Sequence, residues 1–468
     1  MSDPAAGFLA FSDASPTPFH VVAESSARLV AAGFVELLED EIWTAEAESS
    51  RGIDGVKRAK VAAGGKYFYT RNKSTIVAFA VGGAYKPGGA FKIVGAHTDS
   101  PVLKVKPRST KSTHGFLQVA AETYGGGLWH TWFDRDLSLA GCAIVEVEGG
   151  AFERRLVHVR RPILRCPSLC IHLQSGEERA AFKPNKETHL QPVLGMVEES
   201  LNEAADGDER HCPQLLSILA AELGCDPKAI KDVELTLTDT QPGATWGASN
   251  EFLSAPRLDN QIHCFTSLEA LIGHAVADAA ADAGIAMTVC FDHEEVGSES
   301  AHGAGSPVMG EAISRVVGCF GASSELLQIT LRRSFLISAD VAHSIHPNWG
   351  AKHDSNHQPK LNAGTVIKTN DNQRYATNSV TGFLLRQMAA LAKAPVQEFV
   401  VRNDCPCGTT IGPIISARVG LRTVDIGVPS LSMHSIRETI GVADIATNTA
   451  LFRTFFSSFE ALDVKCSF

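Results

Sequence analysis

The sequence predicts an α/β protein in which a largely parallel sheet, flanked by helices, is interrupted by an inserted and mainly β segment. Three observations predict it. Apolar runs of strand length alternate with helical patterns before about residue 101 and again after about 245, as in a mostly parallel sheet. Between about 102 and 244 the texture changes to alternating patterns such as GFLQVAAETY and RRLVHVRRPILR, which suit antiparallel strands. At 468 residues the chain also exceeds the ~250–300 at which a single core stops growing. The simplest organisation is one discontinuous α/β domain, 1–101 with 245–468, and an inserted domain over 102–244.

Each element follows from local pattern. TPFHVVAESSARLVAAGF has apolar residues at helical spacing up to Gly33 and reads as the first helix. STIVAFAVGG and FKIVGAHTDS read as apolar strands closed by polar residues. After the alternating segment, a helical stretch is expected near 190–224, broken by the polar loop GDERHCP. RLDNQIHCFTSLEALIGHAVADAAADAG then reads as a long helix, AMTVCFDHEE as a strand, GEAISRVVGCFG as a helix and SFLISADVAH as a strand.

The net charge of −10 and pI near 5.9 argue against nucleic acid or an anionic membrane as the main partner. An acidic ligand therefore needs a local basic pocket. MSDPAAGFLAFSDASP has no basic region leading into an apolar one, and no run of 18 uncharged apolar residues occurs, so neither secretion nor a membrane span is expected. Eleven cysteines without framework spacing suit reduced thiols in a cytoplasmic protein. The close pairs Cys405–Cys407 and Cys166–Cys170 lack matching partners and read as structural.

Chemistry concentrates where strands end. In an open α/β sheet, ligands bind beyond the carboxyl ends of the strands. FKIVGA runs into His97 and Asp99, which two-residue spacing points into one space; the carboxylate can orient a metal-bound imidazole. AMTVCF runs into Asp292, His293, Glu294 and Glu295. Asp259 opens the long helix, Asp340 ends FLISA, and His434 follows DIGVPSLSM. Singly, these suit a helix cap, a turn and an exposed polar residue. Together His97, Asp259, Glu295, Asp340 and His434 make a nitrogen and oxygen donor set for two zinc-like ions sharing one carboxylate. Glu294 is left over, and suits deprotonation of a bridging water and proton delivery to a leaving amine. His293 carries no assigned role.

The chain closely resembles the aspartyl aminopeptidases, the M18 family of metallopeptidases. The resemblance is carried by SPTPFHVV, YFYTRNKSTIVAFAVGG, GAHTDSP, TYGGGLWHTWFDRDLSLAG, APRLDN, HEEVGSES, ISADVAHSIHPN, QRYATN, VRNDCPCGTTIGP and MHSIRE, spread over nearly the whole chain. It implies a mixed-sheet zinc-peptidase domain interrupted by a mainly β dimerisation domain, assembly as a tetrahedral dodecamer, and release of N-terminal Asp or Glu from peptides. It implies one Zn2+ held by His97, Asp259 and Asp340, and a second held by Asp259, Glu295 and His434. Glu294 is then the general base for a water that bridges the two metal ions, and Asp99 the partner of His97. Lys368, in TVIKTNDNQRYATN, matches the family's basic specificity residue, with Tyr375 a further substrate contact. His172, in CIHLQ, matches a histidine brought to the active site from a neighbouring subunit. His343 and His346 follow Asp340 closely enough to support the site. Two rivals share parts of this pattern: a co-catalytic zinc hydrolase of other specificity, and a self-assembling cargo or scaffold relative. The Lys368 context opposes the first, and retention of Glu294 with every ligand position opposes the second.

Overall fold

The structure is a computed structural model that describes residues 3–44, 60–197 and 210–466. Its centre is a nine-stranded mixed sheet. The spatial order is Val35–Glu36, Lys66–Arg71, Thr75–Val81, Ile285–Phe291, Phe91–His97, Phe335–Ala339, Arg422–Gly427, Thr365–Lys368 and Val396–Phe399. The four strands from Ile285–Phe291 to Arg422–Gly427 run parallel, and antiparallel neighbours lie on either side. The parallel strands are buried along nearly their whole length because both faces are covered. Residues of Thr75–Val81 divide by parity: Ile76, Ala78 and Ala80 enter one core, Val77, Phe79 and Val81 the other. The helices Leu258–Ala277, Val442–Asp463 and Ser379–Ala392 supply apolar residues to the first core, and Val308–Gly318 and Ile411–Val419 to the second.

Two smaller sheets complete the fold. The segment 102–239 builds a six-stranded antiparallel sheet, ordered Phe152–His158, Leu137–Glu146, Ile230–Asp239, Val102–Thr113, Phe116–Tyr124 and Val193–Met196. It has its own core, which includes Leu215 and Leu219 of the helix Pro213–Leu223. A five-stranded sheet joins Ala244–Trp246, Phe252–Ala255, Glu438–Gly441, Pro429–Leu431 and Ala342–His343.

The helix expected near 190–224 is shorter than its pattern suggested. Val193–Met196 is instead an edge strand paired with Phe116–Tyr124, and the helix occupies only Pro213–Leu223. Part of the intervening loop lies outside the described residues. Pairing to a sheet edge overrides local helical spacing here. A helix over Pro4–Ala14, capped by the Asp3 side chain, precedes the first one expected. All eleven cysteines are free thiols.

Candidate active site

Three parallel strands deliver side chains to one edge of the central sheet. Phe91–His97 lies between Ile285–Phe291 and Phe335–Ala339, with His97 in register with Phe291 and Gly95 with Ser338. The residues that follow, Asp99, Glu294, Glu295 and Asp340, therefore leave the sheet at one place. After Phe291 the chain turns sharply: His293 takes a left-handed conformation (φ 65°) and Glu294–Val296 forms a short 3₁₀ turn. That turn breaks the strand alternation which would otherwise send the two glutamates to opposite sides.

Asp259 stands at the centre of the cluster. Its Oδ1 lies 3.3 Å from His97 Nε2, which is itself 3.5 Å from Asp340 Oδ1 and 3.9 Å from Glu294 Oε2. Its Oδ2 lies 3.3 Å from His434 Nε2, which is 3.4 Å from Glu295 Oε2. One carboxylate thus faces two separate histidine–carboxylate pairs. Burial, reinforced by Asp340, Asp99 and Asp259 against the opposing charge of His97, pushes Glu294 up to about 8. Burial also works against the ionised form of Asp340, yet Lys368 and His97 hold it below the usual carboxylate range.

A second set of residues holds these in place. Asp99 Oδ1 accepts the Glu294 amide N–H at 3.0 Å, and Oδ2 accepts the Glu295 amide at 3.1 Å and the Tyr124 hydroxyl at 2.7 Å. His97 Nδ1 is 3.0 Å from the Asp99 carbonyl oxygen and 3.4 Å from its Oδ1, so the backbone oxygen is the nearer partner of the ring. Glu438 is buried and accepts the amides of Asp259 at 2.8 Å and His434 at 2.7 Å. Cross-strand pairing of Ala255 with Glu438 brings it there. His434 Nδ1 is 3.1 Å from the Gly126 carbonyl, which leaves Nε2 for the cluster. Gly125 has φ +74° and sits where an added Cβ would meet Glu295 Cβ at 3.2 Å, so only glycine suits that turn.

Lys368 is buried, with Nζ 3.3 Å from Asp340 Oδ2 and 3.1 Å from the Val341 carbonyl. It also lies 5.1 Å over the Tyr375 ring. The ammonium therefore adjoins Asp340 directly rather than standing at a remote end of a pocket. Burial and a hydrogen bond with Cys407 push the Tyr375 hydroxyl upward, so its ring supports the lysine while its hydroxyl is engaged elsewhere. His343 packs on Phe399 beside a cleft also lined by His346, Arg402 and Met433. Burial, with Lys368 next, lowers His343 to about 4. His346 also lines that cleft and lies tilted against the Trp349 ring. His172 is exposed on the 3₁₀ turn Ile171–Leu173 and takes no part in the hydrogen bonds or ion pairs of the carboxylate cluster within one chain.

The family model for aminopeptidase I zinc metalloproteases, M18, matches residues 11–456. The chain belongs to the M18 family. A probable aspartyl aminopeptidase of Ricinus communis is 46% identical to this M18 chain, covering 97% of it and 95% of the relative. A solved structure of a complex of Ape4 and Nbr1 matches with a TM-score of 0.94 at 43% identity, covering 100% of this chain and 87% of that one. The Saccharomyces cerevisiae mApe1 dodecamer matches with a TM-score of 0.84 at 28% identity, covering 99% and 98%. The protein is therefore a metal-dependent peptide hydrolase, and the mixed α/β fold is that of M18 structures.

The residues of this M18 site suit metal ions. Donors ~2.0–2.1 Å from a tetrahedral ion lie about 3.4 Å apart, close to the 3.3–3.5 Å separations around Asp259. Asp259 Oδ1 and Glu295 Oε1 are buried without a hydrogen-bond partner, a costly state that a cation relieves. Tyr124, Gly126 and Glu438 escaped the reading of the sequence. All three lie in stretches that carry the resemblance, Tyr124 and Gly126 in TYGGGLWH and Glu438 at the close of MHSIRE, but their roles were not read from them. Among the described residues, no helix is long and apolar enough to cross a membrane.

Proposed function

We propose that the enzyme is an aminopeptidase that releases N-terminal Asp or Glu from peptides, using two divalent ions, most simply Zn2+. The observation that carries this reading is Asp259, whose two oxygens face separate histidine–carboxylate pairs. His97, Asp259 and Asp340 would hold one ion, and Asp259, Glu295 and His434 the other. A pair of divalent ions bound there supplies Lewis-acid charge that polarises a scissile carbonyl and acidifies water. Glu294, unneeded as a ligand, takes the proton of the attacking water and returns it to the departing amine. Its burial, which disfavours the charged form, suits a group that must take up a proton and then return it. Asp99 fixes the turn on which the base stands, and Glu438 fixes the amides of Asp259 and His434.

Acidic preference is assigned to Lys368. An ammonium has three donors, and Asp340 and Val341 engage two, so one remains for a substrate carboxylate. The relatives' names as aspartyl aminopeptidases support this substrate class. We further assign 102–244 as an inserted oligomerisation domain and the working unit as a homo-oligomer, a tetrahedral dodecamer, with His172 reaching a neighbour's site. The mApe1 dodecamer supports that assembly. Zinc analysis together with a panel of aminoacyl-amide substrates tests the function. Two ions per chain and a clear preference for Asp and Glu are expected; one ion or fewer, or equal rates on Leu and Asp, would overturn it.

A further inference from the structure

Beside the cluster around Asp259, three residues with no part in the mechanism converge on a second point. Asp292 Oδ2 lies 3.7 Å from His293 Nε2 and 3.9 Å from His302 Nε2, and the two rings are 4.5 Å apart between centroids. Neither separation is a hydrogen bond. Two imidazole nitrogens therefore aim at one carboxylate oxygen without bonding it.

The surroundings hold all three in that arrangement. The Thr75 hydroxyl accepts the Asp292 amide N–H at 2.9 Å and donates to the His302 carbonyl at 2.6 Å, tying both residues to one atom. Asp292 Oδ1 accepts the His293 amide at 2.8 Å and Ser74 also bonds this carboxylate, while Oδ2 is the oxygen nearest both rings. Ser300 Oγ lies 2.9 Å from His293 Nδ1 and accepts the Gly303 amide at 3.0 Å. A hydroxyl oxygen has two acceptor sites, so it can also take the Nδ1–H and leave Nε2 as a donor atom. Such an outer partner is the usual means of fixing a metal-bound imidazole.

We propose that Asp292, His293 and His302 form a third metal site, distinct from the pair around Asp259, that binds a divalent first-row transition ion of the zinc or nickel kind. Two imidazoles with one carboxylate favour such ions over calcium or magnesium, whose ligands are mainly oxygens. Contraction of a few tenths of an ångström brings each imidazole nitrogen to the spacing of about 3.4 Å from Asp292 Oδ2 that a tetrahedral ion needs, and the three donor atoms already lie within 4.8 Å of one another. Side-chain exposures of 25% for His293 and 18% for His302 leave a path for the ion and a place for water as fourth ligand. An ion there would clamp the end of the Ile285–Phe291 strand to the loop carrying Ser300 and His302, across the turn that bears Glu294.

The test is zinc stoichiometry in the full-length protein by equilibrium dialysis and elemental analysis. The wild type should take one more zinc per chain than His302→Gln, with both eluting at the same volume in size-exclusion chromatography. Because the readout is a difference of one, it stands even if the count around Asp259 is not two. Ser300→Ala, which removes only the orienting hydroxyl, should weaken the extra equivalent by about 10–100-fold. Equal stoichiometry in the wild type and His302→Gln, or an unaltered extra equivalent in both variants, overturns the proposal.

Discussion

Glu294 and Glu295 are neighbours in the chain, and Asp99 accepts both of their amides, yet their carboxylates face different partners. Glu295 lies within 3.4 Å of His434, whereas the ion-pair partner of Glu294 among the described residues is His97, at 3.9 Å. Glu294→Gln should therefore keep its metals and lose on the order of 10²–10⁴ in turnover. Glu295→Gln should lose metal as well as rate. Elemental analysis beside kcat separates the two, and equal metal loss would mean their roles are reversed. Lys368→Ala should reduce kcat/KM for Asp substrates by on the order of 10² or more, about 1.4 kcal/mol per decade. Because Lys368 also touches Asp340, neutral substrates should slow too, but by far less. Uniform slowing of Asp, Ala and Leu substrates would make the lysine a prop for Asp340 and turn attention to Arg374, the cation beside Tyr375 in QRYATN.

The strand Phe91–His97 carries the cluster's first histidine at one end and a buried cation near the other. Lys92 Nζ lies 2.6 Å from Asp282, which also meets His274 at 2.9 Å. Burial opposes the charge on Asp282, but His274 and Lys92 lower it to about 2. A depressed acid contributes stability that is complete above its unfolded value near 3.8 and is lost as pH falls through about 2. Unfolding free energy should thus decline between roughly pH 4 and pH 2 in the wild type. The decline should be shallower in Asp282→Asn, which should already cost ~3–5 kcal/mol at pH 7 by stranding Lys92. Urea unfolding across that range checks both. At this scale the sequence is informative wherever burial on two faces writes a continuous apolar run: Thr75–Val81, Phe91–His97 and Ile285–Phe291 stand where their patterns put them. His97, Asp340 and the glutamate pair were legible because each closes such a run. Tyr124, Gly126 and Glu438 were not, because their positions depend on pairings across hundreds of residues, such as Ala255 with Glu438. The Val193–Met196 strand was hidden for a similar reason, since its partner edge, not its own composition, makes it a strand.

For the whole molecule, the exposed residues Leu169, Ile171 and Leu173 surround His172 on one turn of the segment 102–239. Apolar residues grouped this way mark contact surfaces. Ile171→Asp with Leu173→Asp should weaken assembly and reduce activity, while the isolated chain keeps its secondary structure. Sedimentation velocity and circular dichroism distinguish this from unfolding; a wild type fully active as a monomer would remove any role for His172 between subunits. The same segment also returns two groups to its own chain: the Tyr124 hydroxyl reaches Asp99, and the Gly126 carbonyl reaches the His434 ring. It follows that the segment is not an interchangeable module. On the proposed assignment of 102–244 to oligomerisation, a chimera that grafts a foreign assembly domain between residues 101 and 245 would inherit new subunit geometry but lose the phenol and the carbonyl that steady Asp99 and His434. Only a graft that retains the strand Phe116–Tyr124 and the glycine turn after it would transplant quaternary structure without disarming the enzyme.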